Sequence, residues 1–195
     1  MVGSTIQRLK SCARPWQSWI RPMRSTRIHG WSIVILRSVG AELEVHEPTF
    51  DTMPLVWRRG IDNTLRHLIL QRTICKQLGC EHLFPTIQQA GIVAPGFMMR
   101  SAPTFEMSRD ECSGNDSGWV FAPLGHTGEQ AEYRSLYEIA VADPHVIPFL
   151  ALPSGASVTK LRDALEIEWN GQLLISESNA FLQELLDIKP QSPGC

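Results

Sequence analysis

Hydrophobic and polar residues alternate most regularly between Ala164 and Trp169, where Leu165, Ile167 and Trp169 fall on one side and Glu166 and Glu168 on the other. A period of two marks a half-buried strand, and the next pair, Asn170-Gly171, suits a type I′ turn into Gln172 to Ile175. This is the strongest hairpin in the chain. The strongest helix runs from Asp62 to Leu78, with Leu65, Leu68, Ile69, Ile74, Cys75 and Leu78 as its apolar positions. Asp62 or Asn63 is placed to cap it, and Gly79 to end it. Arg66 and His67 on that helix are expected at the solvated surface.

Weaker signals fill the rest. Phe97 to Arg100 and Trp119 to Phe121 read as paired strands, with Asp116-Ser117-Gly118 a tight turn before the second and Trp119 and Phe121 as core residues. The stretch between them, Ser101 to Asn115, carries Glu106, Arg109, Asp110 and Glu111 and is expected as a surface loop. Thr127-x-x-Gln130 has the form of a capping box opening a helix through Tyr133, Leu136, Tyr137, Ala140 and Val141. Asp143-Pro144 closes that helix, because the residue before a proline disfavours the helical conformation. Ile147 to Leu152 is apolar and interrupted by Pro148, hence a buried turn. Ser178 can cap a last helix bearing Phe181, Leu182, Leu185 and Leu186, and Glu42 to Pro54 reads as a linker or short edge strand. Strands and helices mix without βαβ regularity, which predicts a single α+β domain with a mainly antiparallel sheet and packed helices.

The formal net charge of −2 conceals an asymmetry. Residues 1–40 hold seven Lys or Arg and no Asp or Glu, so the remainder sets eleven basic residues against twenty acidic ones and carries −9. Such a body favours basic partners and disfavours nucleic acid. The opening differs so sharply from the rest that residues 1–52 are expected to be a basic extension, disordered or non-native, with the true start of the chain at Met23 or Met53 and a domain over 53–190. No run of 18 apolar residues is present, so no membrane span is expected. Five scattered cysteines without a secretory signal suit reduced thiols and a cytoplasmic protein. Cys75, Cys80 and His82 lack a second ligand pair at finger spacing, and neither metal nor cofactor is expected.

One ordered set of residues resembles a known family. Gly96-Phe97-Met98-x-Arg100, Asp116-Ser117-Gly118-Trp119-x-Phe121, Tyr137-x-Ile139, Asp143-Pro144-x-x-Ile147-Pro148-x-Leu150 and Pro153-x-Gly155 follow one another as in immunity-protein family thirty-three of the bacterial polymorphic-toxin catalogue. The likeness covers about residues 88–160. It implies an immunity protein that neutralises a cognate toxin or secreted effector by occluding it, without chemistry of its own. The family continues its Trp strand into an acidic turn, where this chain has Ala122 to Glu129, so Glu129 and Glu132 are the residues that can supply that acidity.

A binding protein needs a rigid scaffold and a complementary surface, and charge speeds capture. The expected contact residues are Asp110, Glu111, Glu129, Glu132 and Tyr133. Two other readings compete. A small hydrolase-like enzyme would use Cys112 with His126, near His145 and Asp116, if they met in space. A non-catalytic adaptor would have the same composition. Oligomeric state is not legible.

Overall fold

Asn170 (φ 50°) and Gly171 (φ 75°) both adopt the left-handed conformation, and the chain reverses there with Trp169 opposite Gln172. The turn and its flanking alternation therefore agree, as a type I′ hairpin requires. The structure is a computed structural model describing residues 26–98, 104–127 and 130–187. The described chain opens with strands β1 (Thr26–His29), β2 (Ser32–Val39), β3 (Glu42–Pro48) and β4 (Trp57–Arg59), followed by helix α1 (Asp62–Gln77). Strands β5 (Ala90–Val93), β6 (Phe105–Arg109), β7 (Asp116–Pro123) and β8 (Glu132–Ser135) lead into helix α2 (Leu136–Ala142) and a 3-10 helix at Pro144–Phe149. Strands β9 (Ser157–Lys160), β10 (Leu165–Trp169) and β11 (Gln172–Ile175) precede helix α3 (Ala180–Asp187).

β1 to β4 form an antiparallel meander, and the other strands form a seven-stranded sheet in the order β11-β10-β9-β6-β7-β5-β8. Only the β5–β7 pair in that sheet is parallel. The mainly antiparallel α+β fold matches the sequence reading. One buried cluster joins Trp31, Ile33 and Ile35 of the meander to Ile74 of α1, Trp119 and Phe121 of β7, Ile139 of α2 and Ile167 of β10.

The described fold begins upstream of the boundary expected at Met53. Trp31 and Ile35 are each 1% exposed, and Phe50 stacks on Trp31 at 4.8 Å between ring centroids. The Tyr137 hydroxyl donates to the carbonyls of Thr49 and Thr52 at 2.8 and 2.9 Å, tying α2 to the segment after β3. Where the sequence suggested a disordered or non-native stretch, Thr26 to Thr52 therefore form strands and connections that join the core; Met1 to Ser25 lie outside the described residues. Charge misled here, because the apolar run Ile33-Val34-Ile35-Leu36 is a core strand inside a basic segment. β3 is an inner strand of the meander, not a linker.

Helix α1 matches its expected span, but neither Asp62 nor Asn63 caps it with a side chain. The Glu47 carboxylate of β3 accepts the backbone N–H groups of Thr64 and Asn63 at 2.7 and 3.1 Å, and the Arg58 guanidinium of β4 at 2.7 and 2.9 Å. Burial alone would raise the Glu47 pKa; these donors outweigh it and hold it below the ordinary value. A carboxylate at a helix N-terminus satisfies orphan donors and meets the positive end of the dipole.

His67 is not at the solvated surface. Its ring lies 5.9 Å from Trp31 and 5.5 Å from Phe50. Burial pushes its pKa down to about 4, with Arg66 and Arg58 adding to the effect and Glu47 opposing it. At neutral pH both folded and unfolded states hold it uncharged. As pH falls from about 6.5 toward 4 the unfolded chain takes up a proton that the fold refuses, so stability falls by on the order of 3 kcal/mol and then levels off. Urea unfolding at pH 7 and pH 4.5 should show that loss in the wild type and a much smaller one in His67→Phe; equal losses would contradict it.

Four further boundaries differ from expectation. Phe105–Arg109 is a strand, not surface loop, and pairs with both β7 and β9. The strand ahead of it is Ala90–Val93, with Gly96 to Met98 in a turn, while Met99 and Arg100 of the expected strand lie outside the described residues. Glu132–Ser135 is the edge strand β8 rather than a helix; the capping box is formed later, by Ser135 and Glu138. The last helix is capped by Asn179, whose side chain accepts from Phe181 and Leu182, and not by Ser178.

Candidate functional site

Four of the residues that carry the family resemblance, Ser117, Trp119, Leu150 and Gly155, meet at a buried arginine, while Arg100 of the same set lies outside the described residues. Arg109, at the end of β6, is 2% exposed and has no carboxylate partner among the described residues. Its Nε donates to the Ser117 carbonyl at 3.1 Å, and its Nη1 faces the carbonyls of Leu83 at 2.6 Å, Leu152 at 2.5 Å and Leu150 at 3.2 Å. The guanidinium also lies 5.5 Å from the Trp119 ring centroid, within cation–π range. Carbonyl dipoles and a ring face thus replace a counterion. Burial lowers the Arg109 pKa from its ordinary value, but an arginine stays charged in a protein.

The Asp-Ser-Gly turn shapes this hub. Asp116 accepts the Gly118 N–H at 2.8 Å, and Ser117 donates its hydroxyl to Ala90 of β5 at 2.7 Å. Gly118 has φ 76°, and a Cβ there would collide with the Asp110 carbonyl oxygen, so only glycine lets β6 and β7 close at this point. Trp119 is fully buried, and its Nε1 donates to the Leu150 carbonyl, which Arg109 also contacts. The Pro153-x-Gly155 turn completes the frame: Gly155 N–H donates to the Arg109 carbonyl at 2.7 Å, and Arg109 N–H to the Ala156 carbonyl at 2.9 Å. These signature residues are therefore used to build a scaffold. Cys75, whose thiol donates to the Ala151 carbonyl, has that thiol pushed up to about 12 by burial, and at neutral pH it is a packing residue.

The expected contact residues lie apart from one another. Asp110 and Glu111 are exposed in the turn between β6 and β7. Glu132 and Tyr133 stand on β8, at the sheet edge, with Tyr133 65% exposed and Glu132 paired to Arg134 at 2.8 Å. Between β8 and β6 lie β5 and β7, so the two groups are separated by about 14 Å across the sheet. Glu129 lies outside the described residues. An open groove of about 340 Å³ borders β8, lined by Val93, Pro95, Gln130, Ala131 and Glu132.

Nor does the structure bring Cys112 to His126. Cys112 follows the Arg109↔Trp119 end of the β6–β7 ladder and His126 follows the Phe105↔Pro123 end, about 14 Å away along the strands. Asp116 is spent on the turn, and His145 Nδ1 is held by Asp143 at 2.8 Å, next to the backbone that Asp143 caps. Among the described residues no group of three or more His, Cys, Asp or Glu could hold a metal ion, and no helix is long and apolar enough to cross a membrane. Sequence reading missed Arg109 as a buried hub; its polar neighbours concealed it, and the alternation of Phe105, Met107 and Arg109 was the available signal.

Comparison with known proteins gives one family. The model of the Imm33-like domain matches residues 70–170, a span of 101 of the 195 residues that runs from the middle of α1 past β10 and contains the whole Arg109 hub. No curated protein and no solved structure matches the chain. The chain belongs to the Imm33-like domain family.

Proposed function

We propose that the protein is a cytoplasmic immunity protein that binds a cognate toxin or secreted effector and neutralises it by occlusion, without catalysis. The observation that carries this reading is the family match over residues 70–170. The use of the signature residues supports it. Asp116, Ser117, Gly118 and Trp119 are all engaged in internal bonds, which leaves recognition to side chains outside the signature. That division suits a binding protein whose scaffold is held by one set of residues and whose contacts are made by another. The acidic balance of the chain after residue 40 suits a basic partner. Asp110, Glu111, Glu129, Glu132 and Tyr133 remain the contact residues proposed from the sequence.

The test is co-expression. Cells producing the toxin encoded beside this gene should stop growing, and growth should return when this chain is produced with it. Rescue should persist in Cys112→Ala and His126→Ala, which remove the only nucleophile and base pairing that the enzyme reading relies on. Absence of rescue by the wild-type chain would contradict the immunity reading; loss of rescue in those two folded variants would favour the enzyme.

A further inference from the structure

One face of the seven-stranded sheet packs inward and the other is covered by no described element. Inward-facing Met107, Phe121, Val158 and Ile167 are at most 2% exposed, and α2 and α3 add Ile139 and Leu182 to the same core. The alternate residues of the same strands are on the outer face, and the registers set them in two cross-strand rows. In the first, Tyr133 is opposite Ile92, and Ile92 opposite Val120. The row continues through Ser108 and Ser157 to Glu168. In the second, Glu106 is opposite Thr159, and Thr159 opposite Glu166. Not one of these side chains is buried.

The face is thus divided. Its β8–β5–β7 end is apolar, its β6–β9–β10 middle is hydroxylated and acidic, and β11 closes it with exposed Leu173 opposite Glu168 and half-buried Ile175 opposite Glu166. Neither row contains a Lys or Arg, and Glu106, Glu166 and Glu168 make no ion pair among the described residues. Glu166 and Glu168 are about 7 Å apart on one strand and face the same way, and like charges at that range repel. A cationic surface laid across them removes that repulsion. Six strand spacings make the face about 29 Å wide, which is the breadth of a patch of about 800 Å², the usual contribution of one partner to a stable complex. The Arg109 hub beneath holds it rigid, so little ordering cost accompanies docking.

We propose that this outer sheet face is the surface that takes the toxin, and that its occupant is a basic patch of the toxin flanked by apolar residues. The proposal rests on the immunity reading and gives it a contact surface. Tyr133, expected on other grounds, belongs to it. Carboxylates steer the encounter and the Tyr133–Ile92–Val120 end forms the dry contact.

The experiment measures binding of the purified toxin domain encoded beside this gene, inactivated at its own active site, to wild type and three variants. Glu166→Lys combined with Glu168→Lys should weaken binding at least 100-fold at low salt and less at high salt, because both positions are exposed and charge dominates there. The double variant Glu106→Gln with Glu168→Gln, nearly isosteric, should weaken it about 10-fold and serves if the lysine pair fails to fold. Arg66→Glu with Arg72→Glu, exposed on α1, should bind as wild type. Wild-type binding that both sheet-face variants leave unchanged would overturn this surface while the immunity reading stands. Failure of the wild type to bind would remove both. A dimer of the protein alone, seen by light scattering and dissociated by Glu166→Lys with Glu168→Lys, would give the face to a second copy and overturn the proposal.

Discussion

A chain beginning at Met53 is expected not to fold, showing no cooperative urea transition where the full chain shows one. It would lose Trp31, Ile33, Ile35 and Phe50, all at most 9% exposed, from a cluster continuous with Trp119 and Ile139. Burial of one large apolar side chain is worth about 1.5–3 kcal/mol, so four of them approach the whole stability of a domain, about 5–15 kcal/mol. The loss does not stop at the core. Glu47 would go too, leaving the Asn63 and Thr64 N–H groups at the start of α1 without their acceptor. Tyr137 would lose both acceptors of its hydroxyl. An unchanged melting temperature for the shortened chain would show that the meander is an accessory to the sheet.

Arg109→Ala is expected to cost about 3–5 kcal/mol, the range for a truncation that opens a cavity and strands buried polar groups at once. The carbonyls of Leu83, Ser117, Leu150 and Leu152 would lose a shared donor, and Trp119 the cation over its ring. Arg109→Lys should recover part of the loss, since an ammonium keeps the charge but cannot reach carbonyls on opposite sides as a planar fork does. Urea titration of the two variants decides it. A cost below about 1 kcal/mol for Arg109→Ala would mean that water takes over the four carbonyls.

What the sequence revealed, and what it hid, follows from range. The Asn170-Gly171 hairpin, the span of α1 and the stop at Asp143-Pro144 depend on residues within a few positions of one another, and all three stand as read. The cap of α1 came from Glu47, 17 residues before Thr64, and no local pattern announces it. His67 looked like a surface residue because its burial is made by Trp31 and Phe50, from a segment whose basic composition suggested an extension. β8 was read as helix because Thr127-x-x-Gln130 imitates a capping box; pairing with β5 overrode that local preference. The signature residues were visible, but not their purpose. Trp119 was placed in the core correctly, whereas Arg109 was assigned to solvent because an arginine without a carboxylate seldom goes inside. The candidate contact residues were chosen one by one for charge and exposure. A sheet register is needed to see that Tyr133, Val120 and Glu168 share a face.

Stoichiometry separates a protein that neutralises by occupying its toxin from one that acts on it chemically. A fixed amount of purified active toxin is titrated with the protein, residual toxin activity is followed, and the toxin is then recovered under denaturing conditions and weighed by mass spectrometry. Occlusion predicts a linear fall to zero at one equivalent and a toxin of unchanged mass. Inactivation by a small fraction of an equivalent, with a toxin altered in mass, would rule out occlusion and make the protein an enzyme.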